Sequence, residues 1–149
     1  MAIKKIFRVG VIGASGKGDY GHGIDVTFAG LERAKIVAVA DEQPAGLQKA
    51  AERLGVDRRY ADFRKMLENE KLDIVCVGPR WLDDRVAMVS AAADAGAHVY
   101  CEKPFASDLV MADAMSAACR RRHVKLAMAH QWRAMAPVQQ AIRHVREGK

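Results

Sequence analysis

Phe7-Arg8-Val9-Gly10-Val11-Ile12-Gly13-Ala14-Ser15-Gly16-Lys17-Gly18-Asp19-Tyr20-Gly21-His22-Gly23 sets the reading of the whole chain. Phe7 to Ile12 is an apolar run of strand length, and it stops at a loop with glycine at positions 13, 16, 18, 21 and 23. Glycine tolerates positive φ and brings the main chain close to whatever lies beside it. A helix is expected to begin near Ile24. Strand, glycine loop and helix together make the opening half of a parallel crossover.

Further along, the same unit recurs. Ile36 to Ala40, Ile74 to Val77, Val99 to Cys101 and Leu126 to Ala129 are apolar runs of strand length, with a minor strand at Arg59-Tyr60-Ala61. Between them the apolar spacing turns helical, as at Leu47, Ala50, Ala51 and Leu54 and again at Val138, Ala141, Ile142 and Val145. Shorter helices carry Phe63, Met66 and Leu67, then Val86, Val89 and Ala93, then Ala112, Met115, Ser116 and Cys119. Ser107 is expected to cap the last of these, Pro137 to fit the first turn of the final helix and Gly148 to end it. Such alternation implies an α/β fold: a Rossmann-type doubly wound, mostly parallel sheet with helices on both faces. Residues 1–130 are expected to form one nucleotide-binding domain. Residues 131–149 read as a linker and helix leading to a substrate domain that this chain does not contain.

Composition narrows the function classes. The chain has 149 residues, half of them hydrophobic and 28% charged, enough for one domain with a real core. No apolar stretch is long enough to span a bilayer, and the start, from Met1 to Phe7, lacks the apolar region and cleavage site of a secretory leader. The cytoplasm is the expected compartment. Cys76, Cys101 and Cys119 fall on predicted strands and a helix, where cysteine behaves as a small apolar residue; no spacing suits zinc. The net charge of +6 gathers partly in Arg120-Arg121-Arg122-His123-Val124-Lys125, which reads as a solvated helix end rather than a nucleic-acid patch.

Candidate site residues lie at the predicted strand ends. Amides at the first crossover can face a pyrophosphate. In the usual G-x-G-x-x-G register, Gly13 and Gly18 are in place but the middle position is Ser15; Gly13, Gly16 and Gly18 make a slightly different loop. Asp41 closes the second strand, where an acidic residue binds the adenine-ribose hydroxyls, and Asp41-Glu42 would repel a 2′-phosphate. NAD is therefore favoured over NADP. The second signal is His98-Val99-Tyr100-Cys101-Glu102-Lys103-Pro104, a buried strand that stops at a Glu-Lys-Pro turn. Pro104 holds Lys103 extended at the carboxyl end of the sheet, which is where ligands bind.

The glycine loop, the Val39-Ala40-Asp41 strand end, Val77-Gly78-Pro79, Cys101-Glu102-Lys103-Pro104 and the later Ala129-His130-Gln131-Trp132-Arg133 together resemble the Gfo/Idh/MocA family, the glucose–fructose oxidoreductase and inositol dehydrogenase relatives. The resemblance implies an NAD(P)-binding Rossmann domain followed by a substrate domain, and hydride transfer between nicotinamide and a sugar- or polyol-like substrate. It implies Lys103 beside the nicotinamide as the catalytic residue, Glu102 positioning the cofactor, and a Lys-Pro bond that is often cis. The implied cofactor set is Gly13, Ser15, Gly16, Gly18, Asp41, Pro79, Arg80, Glu102 and Lys103. A departure follows strand four: Gly78-Pro79-Arg80-Trp81-Leu82-Asp83 stands where the family often has Thr-Pro-Asn-x-x-His. Arg80 is either a planar fork for a carboxylate or phosphate or a solvated loop arginine. Two rival readings stay open. Val11-Ile12-Gly13-Ala14-Ser15 also resembles coenzyme A-binding domains, and exposed Trp81, Trp132 and Met135 would suit an assembly module. A homo-oligomer is expected.

Overall fold

The computed structural model describes residues 5–149; Met1–Lys4, part of the segment read against a secretory leader, lie outside the described residues. Six strands, β1 (Phe7–Ile12), β2 (Ala34–Ala40), β3 (Arg58–Tyr60), β4 (Ile74–Val77), β5 (His98–Cys101) and β6 (Leu126–Met128), form one sheet in the order β3-β2-β1-β4-β5-β6. Every pairing is parallel, with one register irregularity between Val9 and Gly10. The chain builds outward from β1 in one direction and from β4 in the other, so the winding reverses between these two strands. That reversal opens a crevice at their carboxyl ends.

Helices α1 (Pro44–Leu54), α2 (Phe63–Asn69), α3 (Arg85–Asp94) and α4 (Leu109–Arg121) link successive strands from β2 onward, and α5 (Ala136–Arg146) follows β6. Alternation along the strands divides the core in two. Ile12, Ala38, Val75, Val77, Val99 and Cys101 face α2, α3 and α4, whose Met66, Val89, Met115 and Cys119 are buried against them. Val9, Val11, Val39 and Cys76 face the other way, onto Ala50 and Ala51 of α1 and Tyr20 of the first crossover. Both faces are covered, as the near-continuous apolar strands required. The three cysteines are free and buried, and burial pushes each thiol up, with Arg85 partly opposing it at Cys101. Among the described residues no helix is long and apolar enough to cross a membrane.

Two expectations need correction. No α-helix begins near Ile24; the first crossover holds only a three-residue 3-10 turn, Ile24–Val26. Gly16, Gly18, Gly21, Gly23 and Gly30 all take positive φ, and so does Asp19, so no run of right-handed residues is long enough to repay helix nucleation. The second concerns the cap of α4. Asp108, not Ser107, is the N-cap: its Oδ1 accepts from the Met111 amide at 2.9 Å, while Ser107 Oγ donates to Asp108 Oδ2. A carboxylate next to the helix start is the stronger acceptor for that amide. Pro137 does sit in the first turn of α5, and Lys103–Pro104 is a cis peptide bond.

Candidate functional site

Because all strands run the same way, the residues that follow β1, β2, β4 and β5 share one rim of the sheet. The first crossover lies across that rim as a belt. Ala14 and Asp19 pair antiparallel, with amide-to-carbonyl distances of 3.1 and 3.0 Å, and so close a small loop around Ser15–Gly18. From there the belt touches three strand ends in turn.

At β2 it meets Asp41, which is 2% exposed. The Ser15 amide donates to both carboxylate oxygens at 3.2 and 3.1 Å, Ser15 Oγ donates to Oδ2 at 2.7 Å and the Gln43 amide donates to Oδ1 at 2.9 Å. Ser15 thus takes the acceptor that a ribose hydroxyl would use. Space for its hydroxyl comes from Gly46 in α1, where a Cβ would lie 1.8 Å from Ser15 Oγ. At β4 the Lys17 carbonyl accepts from the Trp81 amide and the Gly18 carbonyl from Arg80 Nε, each at 3.4 Å. Gly18, at φ +87°, is required here: a Cβ would stand 2.5 Å from the Arg80 amide nitrogen. At β5 the His22 amide donates to Glu102 Oε2 at 3.0 Å.

Beneath the belt lies Tyr20, its ring packed against Gly13 so closely that a Cβ there would fall 2.2 Å from it. Burial, aided by the neighbouring Asp41 carboxylate, holds the Tyr20 hydroxyl well above the usual phenol range. That hydroxyl has no hydrogen-bond partner among the described residues.

The structure therefore brings Gly13, Ser15, Gly16, Gly18, Asp41, Pro79, Arg80, Glu102 and Lys103 to one rim, with Arg80 and Lys103 exposed and Asp41, Pro79 and Glu102 buried. It also changes the expected amide cradle. The amides of Ala14, Ser15, Gly16, Lys17, Asp19, Gly21 and His22 all have partners within the protein, so the loop is largely self-satisfied.

Sequence reasoning missed Arg85. It opens α3 at 1% exposure and donates to the carbonyl oxygens of Pro79, Glu102 and Pro104, the last at 2.8 Å, and to Cys101 Sγ at 3.3 Å. One guanidinium thereby ties the ends of β4 and β5 together. Nothing in the sequence marks it, since Arg85 follows two aspartates and reads as a solvated helix start. The contact of His22 with Glu102 was also missed. Its signal was present in Gly21-His22-Gly23, because glycine on both sides permits close approach to a neighbouring group.

The residues on the rim fit a dinucleotide on the evidence of their own bonds. Asp41 Oδ2 already accepts a hydroxyl, and the Ser15 side chain that supplies it turns about a single bond. A parallel sheet in this strand order, with a glycine loop over the reversal and an acidic residue closing β2, defines a dinucleotide-binding fold. The chain belongs to the oxidoreductase family with the NAD-binding Rossmann fold, whose family model matches residues 7–130. It is 36% identical over 118 residues to the D-apiose dehydrogenase of Paraburkholderia graminis, covering 79% of this chain and 31% of that protein. It is 32% identical over 108 residues to the myo-inositol 2-dehydrogenase of Thermotoga maritima, covering 72% and 31%. An oxidoreductase from Agrobacterium radiobacter, solved with NAD+, L-tartaric acid and magnesium, superposes at a TM-score of 0.83 and 25% identity over 95% of this chain and 40% of its own. The WlbA dehydrogenase from Bordetella pertussis, solved with NADH and UDP-GlcNAcA, superposes at 0.83 and 26% identity over 99% and 42%. This chain spans about a third of the length of the curated relatives it matches.

Proposed function

We propose that this chain is the NAD-binding portion of a dehydrogenase that moves a hydride between nicotinamide and a carbon–oxygen centre of a sugar- or polyol-like substrate. The observation that carries the reading is the belt, which joins the Asp41 end of the rim to the Glu102–Lys103 end. When bound, NAD supplies the ring that gives or takes the hydride. Asp41 accepts hydrogen bonds from the adenine-ribose hydroxyls once Ser15 Oγ turns away. The same buried carboxylate repels a 2′-phosphate and so favours NAD over NADP. Exposed Lys103 offers a cation to the oxygen on which charge develops, the form of stabilisation that lowers such barriers most. A group outside residues 1–149 moves the proton, residues 1–130 act as the cofactor domain, and residues 131–149 lead to the substrate domain.

Trp81, Trp132 and Met135 are 57%, 70% and 45% exposed, and the apolar face of α5 is unburied; we assign these surfaces to a homo-oligomer or to a neighbouring domain. Free buried thiols suit the cytoplasm. Calorimetric titration of the chain with NADH, NADPH and coenzyme A tests the reading. NADH is expected to bind best, and Asp41→Ala is expected to weaken it about tenfold through loss of a charge-assisted hydrogen bond. Preference for coenzyme A would overturn the assignment.

A further inference from the structure

Glu102 is buried to 2% exposure, and among the described residues no lysine or arginine side chain hydrogen-bonds or salt-bridges its carboxylate. Its holders are the amides of His22 and Lys103, each at 3.0 Å, and the His22 ring, whose Nδ1 lies 3.3 Å from Oε1. The other ring nitrogen, Nε2, lies 3.4 Å from Lys103 Nζ. Between an ammonium and a carboxylate, both contacts are hydrogen bonds only when Nε2 is the bare, accepting nitrogen and Nδ1 carries the hydrogen. The belt is shaped for this contact. Gly21 stands at φ +65°, and a Cβ there would come within 2.3 Å of Glu102 Oε2.

We propose that His22 is a positioning residue for Lys103. Glu102 fixes the ring in the Nδ1–H form, and the bare Nε2 anchors the Lys103 ammonium on the rim. What the ammonium is for rests on the hydride-transfer reading above; the anchoring itself does not. A lysine side chain is otherwise free to sample many rotamers, and holding it beforehand removes that ordering from the moment of reaction. One of its three N–H bonds points to His22, which leaves two for a substrate oxygen. The first crossover, read from sequence only as a phosphate loop, would then act at the reacting end as well.

Two measurements on the chain test this, and both are independent of turnover. Nitrogen NMR of the histidine rings at about pH 8, where an ordinary imidazole is neutral, should show His22 as the Nδ1–H form, with an Nε2 resonance that Lys103→Met displaces. An Nε2–H form, or a resonance that Lys103→Met leaves in place, overturns the proposal. Reductive methylation followed by mass spectrometry reads the lysine itself. In His22→Phe, Lys103 should react about fivefold faster, as expected when a hydrogen bond to the charged amine is lost. The exposed Lys49 on α1 should keep its rate, and His22→Gln, which restores an acceptor, should bring Lys103 back toward the native rate. A Lys103 rate unchanged in His22→Phe also overturns it. Failure to bind NADH would sink the proposed function while the ring spectra and methylation rates still decide the anchoring.

Discussion

At the amino end of the sheet the Glu70 carboxylate, 2% exposed, takes Arg8 at 2.7 Å, Arg58 at 2.6 Å and the Tyr60 hydroxyl at 2.9 Å. At the carboxyl end Asp41 and Glu102 are buried as deeply, yet their partners are main-chain amides, a serine hydroxyl and an imidazole. The one fully buried arginine of that rim, Arg85, spends its donors on carbonyl oxygens and a thiol instead of a carboxylate. One end is closed by cations that nothing is meant to replace. The other keeps opposite charges apart and satisfies its carboxylates with main-chain amides, a hydroxyl and an imidazole.

Arg85→Met should produce the largest change, because it strips donors from the buried carbonyls of Pro79 and Glu102, which join β4 to β5, and from that of Pro104. A loss of about 3–5 kcal/mol is expected from urea unfolding. A loss below 1 kcal/mol would mean that the rim does not depend on this clamp. Next is the double change Arg8→Met with Arg58→Met, which leaves Glu70 buried with only Tyr60. It should cost about 3 kcal/mol and leave NADH affinity unchanged; a matching loss of affinity would show that the two ends are not independent. Ser15→Ala should cost only about 1 kcal/mol of stability. It should tighten NADH severalfold, since it removes the hydroxyl that competes for Asp41; weaker binding would show that Ser15 helps the cofactor.

The smallest effect is one of pH. Burial by itself would raise the Asp73 carboxyl, but the Arg8 amide at 2.8 Å and the Lys5 ammonium at 2.5 Å outweigh it and hold Asp73 below its ordinary value. A depressed carboxyl stabilises the fold above the unfolded-state value, near 4. That contribution fades as pH falls through the lower folded value. The urea midpoint should therefore drop on acidification below about pH 4, and drop less steeply in Asp73→Asn. Equal slopes would remove Asp73 from the account.

The parallel sheet was legible because the central strands are near-continuous apolar runs and each connection after β2 carries a helical stripe. Boundaries of the last helix followed from proline and glycine, at Pro137 and Gly148. The first crossover was misread for a physical reason. Its glycines were taken as the prelude to a helix, when positive φ at both Gly23 and Gly30 leaves too short a stretch between them for one. Asp41 and Lys103 were placed on the correct rim because strand ends fix that position whatever the side chains do. What the sequence could not show was which donors reach which carboxylate. Those contacts join residues 26 and 80 positions apart. The cap of α4 was missed by a single residue.

Gly46 carries a consequence for how this family varies. An alanine there is the substitution any helix designer would make first, worth about 1 kcal/mol at an ordinary exposed site. In this chain the added methyl would occupy the place of the Ser15 hydroxyl. Positions 15 and 46 are thus one steric unit split between two distant segments. Relatives with glycine at the position of Ser15 lose that clash, and alanine at that of Gly46 then meets only the Asp41 carboxylate, at 3.1 Å, whereas those with serine keep the clash. A census of the two columns should show the forbidden pair missing.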